Sequence, residues 1–317
     1  MYSYPDFPDH VYVELTNLCN ARCTICATPA MKRPRKFMAP GLFRKIATEC
    51  GERGAKKLLP FLHGESLLVP GILDFFREAR ELAPETHVNL TTNGSKLNGE
   101  IAESILREGL VDSLIVSIDG GDKETFEGIR LGLNYDEVRG NVLRFLHRRR
   151  KLGLDKPHVS IAMVTVDENK HTRQKFRDAW EEADDVRYSV YFNWGGRLDN
   201  GGRTPHKVNF CERLYHYITI LADGRVALCC FDSEAEYVLG DVSSQSIHEI
   251  WHSPEFNEKR RLLYERDFKG LPICGGCDYI NHPSWTTPFL RLRPRVEESF
   301  PRTVRTAGDL YKRWLTR

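Results

Sequence analysis

Short apolar runs alternate with amphipathic helical patterns along most of the chain, and this constrains the fold more than any other feature. Six runs read as strands, at 11–15, 58–62, 88–92, 114–119, 159–165 and 186–192. The first five are rich in Val, Ile or Leu, as strands covered on both faces are. Helical periodicity falls between them at 41–50, 72–82, 100–108, 135–152 and 170–182. Parallel strands need crossovers of this kind. The expected class is therefore α/β, with a parallel sheet curled into a partial (β/α)6 barrel over residues 1–205.

The texture then changes. Asp223-Gly224 lies between two apolar runs, 217–221 and 226–229, and reads as a hairpin turn. Short helices follow at 247–251 and after Pro254, so residues 206–285 are expected to form a small hairpin-plus-helix unit. Residues 286–317, punctuated by Pro288, Pro294 and Pro301, read as an extension ending in a basic helix near 310–315.

Nine cysteines fall in two groups, with Cys50 alone between them and read as packing. The N-terminus lacks a signal-peptide pattern, and no stretch approaches the ~18 apolar residues of a membrane span. A cytoplasmic, non-membrane protein is expected, whose clustered thiols are metal or redox ligands rather than disulfides. Net charge is only +2, and no basic stripe with aromatics suggests a nucleic-acid partner. The basic runs 32–36 and 148–151 read as solvated surface, the first also as a docking place for an acidic electron donor.

Cys19, Cys23 and Cys26 are spaced C-x3-C-x2-C directly after the first strand. Three thiolates can hold three irons of a 4Fe–4S cluster and leave the fourth open to a small molecule. Zinc, which in structural sites takes four closed ligands, is the alternative.

Strand, C-x3-C-x2-C loop and β/α repeats together resemble the radical S-adenosylmethionine (SAM) superfamily, from residue 11 to about 195. The resemblance implies that the open iron binds SAM. An electron from a donor such as flavodoxin or ferredoxin then cleaves SAM to a 5′-deoxyadenosyl radical, which abstracts hydrogen from substrate. His63-Gly64-Glu65 resembles the family's Gly-Gly-Glu motif, with His63 replacing the first glycine; Gly64 and Glu65 would meet the SAM ammonium. Thr92-Asn93-Gly94 resembles the family's Thr-Asn-Gly turn, which makes Asn93 a cofactor contact. Ser117-Ile118-Asp119-Gly120 with Arg130 resembles the SxDG…R pattern that binds ribose and carboxylate. Ile25 sits where the family packs a hydrophobic residue beside adenine.

Cys211, Cys229, Cys274 and Cys277 are separated by seventeen, forty-four and two residues. Spacing alone leaves zinc open. The text around them, from CERLYHY through ADGRVALCC to CGGC, resembles the SPASM/twitch auxiliary-cluster domain and implies a second, fully ligated 4Fe–4S cluster. Neighbours on a strand face opposite ways, so Cys229 and Cys230 are not expected to serve one cluster together; the resemblance points to Cys229. Cys230 is then a candidate hydrogen-atom donor, as radical epimerases require, or a small buried hydrophobe. Tyr188, Tyr191, Asn193, Trp194 and Arg197 cluster at the sixth strand's end as substrate-binding candidates. The expected enzyme is a radical SAM oxidoreductase or epimerase acting on a sugar, aminocyclitol or nucleoside. The first strand's early start, with no preceding peptide-binding domain, favours a small substrate. The alternatives are a maturase of a ribosomal precursor peptide and a non-catalytic iron–sulfur or zinc scaffold.

Overall fold

The computed structural model describes residues 3–199 and 211–280. Strands β1 (His10–Val13), β2 (Lys57–Leu59), β3 (His87–Thr92), β4 (Ser113–Ser117), β5 (His158–Thr165) and β6 (Asp185–Val190) pair in sequence order. Every pairing among them is parallel. The crossovers carry α1 (Pro40–Arg53), α2 (Ile72–Leu82), α3 (Gly99–Arg107), α4 (Lys123–Ile129), α5 (Tyr135–Lys151) and α6 (Arg173–Ala179). This is the expected partial barrel.

Alternation on the strands builds it. Val88, Leu90, Leu114 and Val116 are fully buried, as are Phe76, Ile105 and Val142 on the crossover helices. Each such side chain contributes roughly 1.5–3 kcal/mol. Cys50, on α1, is part of this core as expected. The helix ends follow local rules. Pro40 opens α1, and Gly54 closes it in the left-handed region (φ 71°). Asn134 caps α5 through the Glu137 N–H. The basic end of α5 suits the helix dipole, and Arg148, Arg149 and Arg150 pair with Glu103, Asp184 and Glu182.

The second unit does not stand apart from the sheet. After α7 (Arg213–His216), β7 (Tyr217–Ile220) runs parallel to β1, with His10 opposite Tyr217 and Val13 opposite Ile220. Their rings stack, His10 on Tyr217 at 4.4 Å. β8 (Arg225–Ala227) and β9 (Val238–Asp241) continue antiparallel, giving the order β6-β5-β4-β3-β2-β1-β7-β8-β9. Helices α8 (Ile247–Trp251), α9 (Pro254–Glu265) and α10 (Pro272–Gly275) complete the described chain.

Four expectations need correction. α4 went unseen because only Phe126 and Ile129 are buried along its seven residues, too few for a period. The 170–182 pattern is a 3₁₀ turn followed by a helix that stops at Ala179. β9 is a strand that no apolar run announces, because Val238 is exposed and Gly240 has no side chain; a Cβ there would lie 2.6 Å from Ile250. Finally, β8 ends at Ala227, so Cys229 and Cys230 lie in a turn and the strand-face argument does not apply to them. The extension 286–317 and its helix fall outside the described residues. No described helix is long and apolar enough to cross a membrane.

Candidate active site

The loop after β1 carries Cys19, Cys23 and Cys26, and segments from the other strand ends converge on it. Glu65 N donates to Leu18 O (2.8 Å), and Asn93 Nδ2 donates to Asn20 Oδ1 (2.9 Å). Arg22 N and Thr24 N donate to Leu131 O and Ile129 O, on either side of Arg130. Trp194 Nε1 donates to Ile25 O at 3.1 Å. Gly64 is required by contact: a Cβ there would fall 2.3 Å from Thr16 O and 2.5 Å from Leu18 O. Gly64→Ala should therefore displace the cysteine loop. The expected result is loss of about half the bound iron with the second cysteine set still loaded, read by iron analysis and by cluster absorbance.

Glu65 is buried, and its carboxylate accepts from Thr92 Oγ1 (2.7 Å), Asn93 N (2.7 Å) and Leu67 N (3.1 Å). Burial pushes its pKa up against these donors. Arg130 is buried and holds Asp119 through Nε at 2.8 Å, while Asp119 Oδ1 accepts from Val164 N at 2.7 Å. The guanidinium lies in the electrostatic neighbourhood of the Cys23 and Cys26 thiols. Burial raises Cys23 to about 11, with Arg130 opposing. Ser117 ends β4, half-buried. Glu65, Asn93, Asp119 and Arg130 thus gather around the loop.

The second set is assembled by the segment just before α7 (Cys211), the turn after β8 (Cys229), and α10 with the residues that follow it (Cys274 and Cys277). Burial raises the thiols of Cys211 (to about 12), Cys229, Cys274 and Cys277, and Cys229 also feels the charges of Cys230, Cys274 and Cys211. Three thiols on one loop are the donor set of a 4Fe–4S cluster with one iron left open, and the four thiols of the appended unit are that of a fully ligated one.

Arg213 is a residue the sequence did not single out. Its guanidinium lies over the rings of Tyr279 (4.5 Å) and Phe231 (5.0 Å). Its nearest charge partners are the Cys230 thiol and the hydroxyls of Tyr279 and Tyr12, followed by Cys211. A cation there offsets the negative charge that thiolates would bring. Cys230 lies beside it; burial raises its thiol, and Arg213 works the other way.

A buried ionic network joins the two units. Glu14, wholly buried, takes Arg33 on both oxygens (3.1 and 2.7 Å), His63 Nδ1 (2.9 Å) and Ala222 N (3.0 Å). Arg33 Nε donates to Ser233 O at 2.6 Å, and His63 Nε2 to Cys230 O at 3.0 Å. Burial disfavours the Glu14 anion, yet His63 and Arg33 hold it at about 2. His63 thus puts a ring donor where the family motif has glycine. Arg33 corrects the surface reading of the basic run, since it is only 8% exposed. An acid closing the apolar run Val11-Tyr12-Val13 was the available signal.

The substrate-binding candidates separate. Tyr188 faces α6, with its hydroxyl on Arg173 O (3.0 Å) and its ring against Phe176 (5.8 Å). Asn193 is engaged with the last cysteine loop, through Gly276 O (2.7 Å) and the Asp278 N–H (3.2 Å). Arg197 pairs with Glu236 at 2.8 Å, and Tyr191 donates to Asp199 O. Trp194 also bridges the units, lying near His63 (6.1 Å) and Phe231 (5.6 Å) as well as Ile25.

A parallel barrel with three thiols at its strand ends and four more in an appended hairpin unit defines an iron–sulfur protein with an open first site. The chain matches the radical SAM superfamily over residues 13–179, more than half its length, and belongs to it. Residues 211–278 match SPASM, an iron–sulfur cluster-binding domain. The cofactors are accordingly SAM, a 4Fe–4S cluster and an auxiliary cluster. The S-adenosyl-L-methionine-dependent 2-deoxy-scyllo-inosamine dehydrogenase of Niallia circulans is 23% identical over 86% of this chain and 93% of its own length. A GTP 3',8-cyclase from Chlorobaculum tepidum is 28% identical over 44% of this chain and 41% of its own. BtrN in complex with AdoMet and 2-DOIA shares the fold with a TM-score of 0.61 at 19% identity, covering 85% of this chain and 92% of that one. Streptococcus suis SuiB bound to precursor peptide SuiA gives 0.67 at 13% identity, covering 81% and 67%.

Proposed function

We propose that this chain is a radical SAM dehydrogenase that oxidises a carbon bearing oxygen or nitrogen in a small polar substrate, a sugar, aminocyclitol or nucleoside. The observation that carries the reading is the likeness to the scyllo-inosamine dehydrogenase, which covers 86% of this chain and 93% of that enzyme. When bound, SAM and the first cluster supply a 5′-deoxyadenosyl radical, and the second cluster supplies a one-electron acceptor.

In this reading residues 1–205 form the catalytic barrel and 206–285 the auxiliary unit. Cys19, Cys23 and Cys26 hold three irons. Glu65 braces the Gly64 backbone against the SAM ammonium, and Arg130, oriented by Asp119, meets the carboxylate. Ser117 would contact the ribose of bound SAM and Ile25 would pack beside its adenine. Cys211, Cys229, Cys274 and Cys277 hold the second cluster, with Arg213 balancing its charge. Trp194 links the two units through its contacts with Ile25 and Phe231.

The test is to incubate anaerobically reconstituted enzyme with dithionite, SAM and panels of aminocyclitols, sugars and nucleosides, and to follow products by mass spectrometry. A product short of two hydrogens, formed with one 5′-deoxyadenosine each and unaffected by Cys230→Ala, is the expected result. An isomer of unchanged formula that takes up solvent deuterium and vanishes in Cys230→Ala would replace dehydrogenation with epimerisation. Turnover confined to a precursor peptide would favour the maturase, and no 5′-deoxyadenosine at all the scaffold.

A further inference from the structure

Asp6, His248 and His252 take no part in the site described above. The histidines stand one turn apart at the end of α8, with ring centroids 4.5 Å apart. Asp6 comes from the segment before β1, and that segment is fixed to the same helix region. Trp251 Nε1 donates to Pro5 O (2.9 Å), and the Tyr4 hydroxyl donates to Asn257 Oδ1 (2.8 Å). Asp6 Oδ1 lies 3.4 Å from His248 Nε2 and 3.7 Å from His252 Nε2, and the Asp6 carbonyl oxygen is 2.8 Å from His252 Nε2.

These distances match a coordination shell. Zinc bonds nitrogen and oxygen at ~2.0–2.1 Å, which makes the edges of a tetrahedron about 3.3–3.4 Å. Asp6 Oδ1 stands within about 0.4 Å of that edge from each imidazole nitrogen, and the three donor atoms all lie within 4.8 Å of one another. Both imidazoles are about one-third exposed (29% and 35%), so an ion has a way in. Paired imidazoles select a borderline transition ion over calcium or magnesium. The geometry points to a divalent transition-metal site, occupied by Zn²⁺, with Asp6 Oδ1, His248 Nε2 and His252 Nε2 as ligands. The Asp6 carbonyl oxygen or a water takes the fourth place. His252 then carries its proton on Nδ1. Such an ion would staple the segment before β1 to α8 of the cluster-binding region.

The experiment uses the full, tag-free chain with both clusters reconstituted, dialysed anaerobically against graded Zn²⁺. One zinc per chain should bind with no loss of iron. Its X-ray absorption should show nitrogen and oxygen near ~2.0 Å and no sulfur near ~2.3 Å. His248→Ala/His252→Ala, two solvent-facing changes, should weaken uptake at least about tenfold while iron content and circular dichroism stay unchanged. Asp6→Asn supplies a second variant should the double one fold poorly, and it too should bind more weakly. Equal uptake by wild type and these variants, or sulfur in the zinc shell, would overturn the assignment.

Discussion

Replacing Cys19, Cys23 and Cys26 together by alanine will abolish 5′-deoxyadenosine formation and halve the iron, from about eight atoms per chain to about four. The three thiols share one loop, and the neighbouring segments brace that loop through Leu18, Asn20, Arg22, Thr24 and Ile25. The second set comes from the segment before α7, the turn after β8, and α10 with the residues after it, so it keeps its own iron. Cys274→Ala with Cys277→Ala should give the converse: the same loss of iron, with SAM cleavage retained. Iron analysis and chromatography of the cleavage product check both. SAM cleavage that survives the triple replacement would sink the assignment of the open cluster.

Glu14→Gln is expected to be the most destabilising single change. It leaves the buried Arg33 guanidinium without its carboxylate, and removing one partner of a buried ion pair costs about 3–5 kcal/mol. For a chain of this size that lowers the melting temperature by on the order of 10 °C. The pH dependence has a definite sign. Glu14 is held at about 2 in the fold, below the ~4.3 of a free glutamate. Its contribution is therefore complete above ~4.3 and is lost as pH falls through about 2. Anaerobic melting at neutral pH, and acid unfolding followed by circular dichroism, should show a steep acid limb in wild type and a flatter one in Glu14→Gln. Coincident melting curves would mean that the network adds nothing.

The barrel was legible because its strands are covered on both faces and so read as runs of Val, Ile and Leu. Both cysteine sets stood out because clustered thiols are rare in a chain with so few cysteines and their spacing is read directly from the sequence. Shorter features left weaker marks. α4 buries too few side chains to show a period, and β9 carries a glycine where a packed residue would have marked it. The roles of Glu14, Arg33 and Arg213 depend on contacts that the sequence does not spell out. Arg33 meets Glu14 across a fold of the chain and Ser233 from the far unit. Tyr188 misled for a related reason. An aromatic at a strand end can face the helix layer or the mouth, and only the strand's register decides.

The pairing of β7 with β1 has a consequence for anyone wishing to shorten this protein. Ile220 O accepts the Glu14 N–H at 2.8 Å, and β1 has β2 on its other side. A truncation ending before residue 211 would strip one rim of β1 of its neighbour and leave a row of unanswered amides and carbonyls. Such a rim recruits strands from other molecules, so the excised barrel should precipitate or self-associate. The auxiliary segment acts as a seam of the barrel itself, and grafting another in its place would require a strand of matching direction and length.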